Sequence, residues 1–204
     1  MAMMLTAGIT GAADAVPALS EAGPEAGAGG GDATAVSLRG PRNVMSQRVV
    51  TFHGRVISGG SRAVVLLVGG RKLRTHTEAD GVYKLRWRAP RAGVYGARAR
   101  LDGSSLRSRR VRVNAYRRAE ASYYGPGLYG GGLACGGTLS PEKLGVANKA
   151  LPCGTRVTLR YRGHTVTVPV IDRGPYSGNR EYDLTVATKS KLGFPSTGTL
   201  LTTE

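Results

Sequence analysis

The stretch RVTLRYRGHTVTVPVIDRGPY, residues 156–176, decides the fold of the C-terminal half. Arg156 to Tyr161 alternates polar and apolar side chains, the period of a strand with one buried face. Arg162-Gly163 is a two-residue hairpin signal, and it predicts a returning strand from His164 to Asp172. Val166, Val168 and Val170 share one face, and by the period of two Asp172 falls on that face as well. Pro169 lies in the opposite phase and predicts an edge or a bulge. An isolated acid therefore closes an apolar stripe beside a Gly-Pro turn. A carboxyl in such a setting can be held partly protonated, the property that breaking a glycosidic bond requires. The alternative is that Asp172 only accepts backbone hydrogen bonds within its turn.

Outward from this stretch the signals are shorter. A helix is expected from Leu184 to Leu192, with Asp183 as its N-cap, Lys189 and Lys191 near its last turn, and Gly193 as its stop. Ser140-Pro141-Glu142 predicts a second helical turn ended by Gly145. Tyr123, Tyr124, Tyr129 and Tyr176 cluster at Gly-Pro turns. They suit ordinary packing or stacking on sugar rings, since a phenol offers an apolar face and a polar tip. Arg173 and Arg180 can meet carboxylates of a polymer, or pair with Asp172 and Glu181. Cys135 and Cys153 are the only two cysteines, each followed by glycine. A bridge between them fits an oxidising compartment; two free buried thiols are the other reading.

The bulk properties divide the chain. It has 204 residues and a formal charge of +16. Residues 1–40 carry one basic and four acidic side chains, 41–118 carry 19 and 3, and 119–204 carry 9 and 6. The positive charge thus belongs to the middle segment. Such a segment is either a solvated Arg-rich surface or a face for a polyanion, and an anionic wall polymer is the expected partner. Nucleic acid is not expected, since neither a basic helix, a zinc pattern nor an RNA-binding aromatic signature is present.

The first residues, MAMMLTAGITGAADAVPALS, read as the apolar part of a secretory signal ending near Ala13-Asp14-Ala15, without the usual basic start. The longest strand-like apolar run, AVVLLV at 63–68, is far short of the ~18 residues needed to cross a bilayer. A secreted, extracytoplasmic protein associated with the cell wall is expected, with no transmembrane segment. Residues 1–43 are assigned to this signal and to an Ala/Gly-rich disordered linker, with GAGGG at 27–31. From 44 to 118 the text alternates like strands. Tyr83, Leu85 and Trp87 fall on one face, with Lys84, Arg86 and Arg88 on the other. Turns every eight to twelve residues predict a small β-sandwich. TEADGVYKLRW, followed by AP and AGVY, resembles bacterial immunoglobulin-like modules. His53 and His76 stand alone, and no metal site or cofactor is expected.

In the last segment, 119–204, ASYYGPG, LACGGTLSPEKLGVANKALPCGTRV, VPVIDRGPY, REYDLT and KLG occur in order. This series resembles the rare lipoprotein A (RlpA) family. The resemblance implies a six-stranded double-psi β-barrel, related to barwin and expansins, working on peptidoglycan glycan strands. The whole chain is then all-β, a sandwich followed by a barrel with one or two short helices. The family's acid, in Asp-Arg-Gly-Pro, falls on Asp172. Its glutamate position falls on Gly137, and its histidine position on Asn148. The resemblance implies lytic transglycosylation with Asp172 as the single acid/base. A second carboxylate for hydrolysis is not found, because Asp183 is read as a helix cap and Glu181 as a solvated neighbour. The expected glycan contacts are Tyr123, Tyr124, Asn148, Lys149, Arg173 and Tyr176, with Asn148 alternatively a loop-holding residue. The competing function is an expansin-like module that binds glycan without cleaving it.

Overall fold

The computed structural model describes residues 35–57 and 60–204. The expected secretory signal lies outside them. The strands are β1 (Ala35–Val36), β2 (Asn43–Met45), β3 (Val49–Ile57), β4 (Ala63–Val68), β5 (Arg71–His76), β6 (Val82–Arg88), β7 (Gly93–Leu101), β8 (Val111–Tyr124), β9 (Val146–Ala147), β10 (Arg156–Tyr161), β11 (His164–Asp172), β12 (Tyr182–Thr185) and β13 (Gly198–Thr202). A single helix among the described residues, α1 (Val186–Leu192), sits between β12 and β13. The all-β class follows directly.

The N-terminal strands form two sheets, β1-β3-β6 and β5-β4-β7-β8, with β2 beside β8. Between them lies a core built from alternate residues of each strand: Phe52 and Val56, Val64, Leu66 and Val68, Tyr83, Leu85 and Trp87, Ala97 and Ala99, Val113 and Ala115. Lys84, Arg86 and Arg88 are exposed, as the alternation of β6 predicts. Trp87 packs against Phe52 at 6.3 Å and edge-on to Tyr95 at 5.1 Å between ring centroids. Residues 35–43, assigned to the linker in the sequence, belong instead to this sandwich: β1 pairs with Val56 and Ile57, and Val36 and Leu38 supply apolar surface to the core.

No spacer separates the two halves. The fourteen residues of β8 run through both. Val111 to Ala115 pair with β7, while Arg117 to Ala121 pair with β13 and Ala121 to Tyr124 with β12. Val113 and Ala115 enter the first core; Ala119 and Ala121 enter a second one. That second core is enclosed by β8 to β13 and contains Val157, Leu159, Val166, Val168, Val170, Tyr182, Leu184 and Leu200. The change at 118/119 read from composition thus falls inside a strand.

The β10–β11 hairpin has the expected register, with Tyr161 opposite His164. Its two turn residues are both left-handed, Arg162 at φ 43° and Gly163 at φ 93°, the geometry that matches strand twist across a two-residue loop. Two expectations fail nearby. The helix starts at Val186 and is capped by Thr185, whose Oγ1 accepts from the Thr188 amide. Asp183 remains in β12 because its backbone is paired with Ser122 and Ala147. Residues 140–143 form a turn closed by the Lys143 amide on the Ser140 carbonyl, with no helix.

Candidate active site

Strand β11 places Asp172 by means of an irregularity. β11 runs parallel to β9, but Val170 pairs with Val146 and Asp172 with the next residue, Ala147. Two steps on one strand oppose one on the other, a β-bulge, which re-aims the following side chains. Val170 stays in the main core, whereas Ile171 turns into a small second cluster with Leu133 and Leu139. Asp172 emerges partly exposed. Pro169, immediately before the bulge, marks it in the sequence.

The carboxylate is held at one oxygen. Asp172 Oδ1 accepts from the amides of Ala134 at 2.9 Å and Arg173 at 2.8 Å. Among the described residues Oδ2 accepts no hydrogen bond of ordinary geometry and no ion pair involves Asp172, while the Tyr124 hydroxyl comes close to the carboxylate. The Ala134 donor belongs to the loop that the Cys135–Cys153 disulfide ties down, and the expected pairing of these cysteines is present.

A row of paired residues then crosses the sheet. Asp172 faces Ala147, Ala147 faces Asp183, and Asp183 faces Ser122. Asp172 and Asp183 are thereby separated by one intervening strand, about 9.5 Å between backbones. Ser122 Oγ donates to Asp183 Oδ1 in a very short contact. Two residues beyond Ser122 on β8, the Tyr124 hydroxyl is shielded from solvent and closes no hydrogen bond of ordinary geometry. Burial raises the pKa of this phenol most, followed by the charges of Asp172 and Asp183, with the approach to Asp172 adding to them. Tyr124 is therefore a neutral O–H donor throughout the ordinary pH range, aimed between two carboxylates. Asp183 is the group that sequence reasoning assigned elsewhere. Its only local signal was the polar break in the apolar strand Tyr182-Asp183-Leu184.

Other expected contacts divide. Tyr176 is 80% exposed, and Tyr129 and Leu128 are also open to solvent, so an apolar, hydroxyl-bearing surface borders the site. Lys149 is exposed. Tyr123 is half-buried with its ring covered by the Lys189 ammonium at 4.6 Å. Two residues are corrected. Asn148 is buried and its amide is engaged by the backbone: Nδ2 donates to the Glu181 carbonyl, and Oδ1 accepts from the Ala150 and Leu151 amides. It holds its loop. Arg173 turns away from Asp172 and donates to the carbonyls of Asn148 and Leu151 at 3.1 and 2.9 Å, and to Cys153 Sγ. It clamps the same loop from the other side. Arg180 meets Ser177, and Glu181 pairs with Arg117.

The comparisons with known proteins fall on this half. A family model described as "Lytic transglycolase" matches residues 117–202. A probable endolytic peptidoglycan transglycosylase RlpA of Synechocystis is 40% identical over 80 residues, 38% of this chain and 25% of that protein. The endolytic peptidoglycan transglycosylase RlpA of Campylobacter jejuni is 40% identical over 81 residues, 39% of this chain and 30% of that one. Its counterpart in Pseudomonas aeruginosa is 41% identical over 90 residues, 43% and 26% respectively. The chain thus spans about a third or less of these relatives' lengths. Six strands, β8 to β13, enclose the matched segment's core, and the acid of the Asp-Arg-Gly-Pro motif stands in its site. Residues 117–202 form an RlpA-like double-psi β-barrel.

Proposed function

We propose that the barrel cleaves peptidoglycan glycan strands as a lytic transglycosylase, at the cell wall outside the cytoplasm, with Asp172 as acid and then base. One observation supports this reading: two amides fix Oδ1 of a partly exposed Asp172 whose carboxyl is in no ion pair among the described residues. A proton on Oδ2 passes to the glycosidic oxygen as the bond to the anomeric carbon breaks. The sugar's own hydroxyl then closes on that carbon and returns its proton to Asp172. Tyr124, neutral and close to both Asp172 and Asp183, supplies an O–H beside the acid. Tyr176 and Tyr129 supply stacking faces for neighbouring sugars.

The row through Ala147 favours a second reading. Inverting hydrolysis needs two carboxyl groups about 6.5–9.5 Å apart, with water between them. Asp183 is a carboxylate at compatible backbone spacing, and no helix cap occupies it. Product ends separate the readings. Mass spectrometry of purified peptidoglycan incubated with the protein is expected to give anhydro-muropeptides. Reducing ends would support hydrolysis through Asp183. Retention on the polymer without any product would leave a binding module, and neither retention nor product would remove the glycan reading.

A further inference from the structure

The outer face of the sheet β5-β4-β7-β8 is arginine-rich and largely without carboxylate partners. On β7, Arg98 and Arg100 alternate with the buried Ala97, Ala99 and Leu101 and so point outward. Arg107 is bridged to Arg100. With Leu67, Ser104 and Ser105 these three arginines line a cleft of about 220 Å³. Arg98 Nε there is shielded from water and has no acceptor. Leaving that N–H without an acceptor costs free energy. Arg100 is the only one of the three in an ion pair among the described residues, a long 3.7 Å contact to Asp102.

A larger cleft of about 510 Å³ is lined by Arg39, Arg42, Arg110 and Arg112 with Leu38, Gly40, Val111 and Asn114. None of its four arginines is ion-paired among the described residues. Two of them are positioned by the fold. A methyl group on Gly96 would come within 1.9 Å of Arg110 Nε and 2.3 Å of its Nη2. Gly96 has no left-handed φ to explain it; its missing side chain is the seat of the Arg110 guanidinium. Arg112, opposite Gly96 on β8, donates through Nε to Asn114 Oδ1 at 3.0 Å. Asn114 Nδ2 in turn donates to Asn43 Oδ1, which also accepts from the Tyr116 hydroxyl. That chain of bonds leaves the outer nitrogens of Arg112 aimed at the cleft.

We infer that this face is a binding site for a base-free polyphosphodiester, of the polyol-phosphate kind. Positions alternating along a strand and adjacent across strands root these side chains about 5–7 Å apart. A single small anion satisfies one or two of them, whereas a chain with an anion on each repeat satisfies the series, each phosphate by bidentate donation. Neither cleft is lined by an aromatic side chain, so the stacking that holds single-stranded nucleic acid is missing. The inference is independent of what the barrel does to glycan, and its test does not use cleavage.

The probe is a fluorescent glycerol-phosphate oligomer titrated with the full chain at several salt concentrations. Binding is expected to weaken steadily with salt. Arg110→Gln with Arg112→Gln is expected to raise Kd by about tenfold or more. Gly96→Ala keeps every charge but displaces Arg110, and is expected to raise Kd by about three- to tenfold. Lys84→Gln with Arg86→Gln, an equal charge loss on the opposite sheet, is expected to stay within about twofold. Circular dichroism confirms that each variant is folded. No binding at low salt, equal weakening by both double variants, or tighter binding of single-stranded or duplex DNA would overturn the inference.

Discussion

The sandwich and the barrel share a strand and differ in where they keep polar groups. Of nine buried polar or charged side chains among the described residues, only Thr77 and Ser108 lie before β8's barrel half; the other seven, including Ser122, Asn148 and Thr185, lie in the barrel. Burying such groups costs stability unless each is hydrogen-bonded. In the barrel they hold loops and strand ends around Asp172: Asn148 through three bonds, Thr188 through the Gly145 amide and carbonyl. The sandwich buries fewer such side chains and carries its charge outside. The proposed chemistry, which depends on atomic placement, therefore suits one half, and the inferred recognition through surface charge suits the other.

The first way to break this contrast is at the sandwich core. Trp87→Ala empties a site between Phe52 and Tyr95 and should cost about 3–5 kcal/mol. Because β8 is continuous, calorimetry should show the barrel's transition moving down with the sandwich's. Two separate transitions, with the barrel unmoved, would mean that the shared strand does not couple them.

Next comes the disulfide, which lies only in the barrel. Cys135→Ser with Cys153→Ser should cost about 3 kcal/mol, from the chain entropy of the opened loop. It should also loosen the Ala134 amide and lower turnover, while oligomer binding by the sandwich stays unchanged. Tyr124→Phe sharpens the picture of the site. Its hydroxyl closes no hydrogen bond of ordinary geometry, so stability should change by less than about 1 kcal/mol. Turnover should fall about tenfold if that O–H donates in the transition state. In the wild type the same phenol, raised by burial and two carboxylates, should ionise at higher pH than free tyrosine in an alkaline absorbance titration. The smallest effect is expected at Arg117–Glu181, whose side chains are each 40% exposed. Arg117→Ala should cost about 0.5–1 kcal/mol despite the close bidentate contact, and less at high salt.

What could be read from sequence was local. The β10–β11 hairpin, the alternation of β6 and the Gly193 stop each follow from residues within a few positions of one another. The site depends on partners far apart in the chain. Asp183 is held by Ser122, 61 residues earlier, and a parallel pairing of that kind leaves no periodic trace near either residue. Its side chain therefore read as a helix cap, although Thr185 performs that task. The bulge after Pro169 was signalled, but not which way it would turn Ile171 and Asp172. Asn148 illustrates the limit of reading roles from position. It occupies the place of a family histidine, yet three backbone partners consume its amide.

The central claim is that the free oxygen of Asp172 delivers the proton that breaks the glycan. Asp172→Asn retains a carbonyl for the Ala134 and Arg173 amides and removes only the ionisable oxygen. The most direct measurement is the initial rate of anhydro-muropeptide release from purified peptidoglycan by wild type and this variant, alongside their melting temperatures. The account predicts a loss of about a hundredfold or more with little change in melting. Equal rates from two equally stable proteins would contradict it.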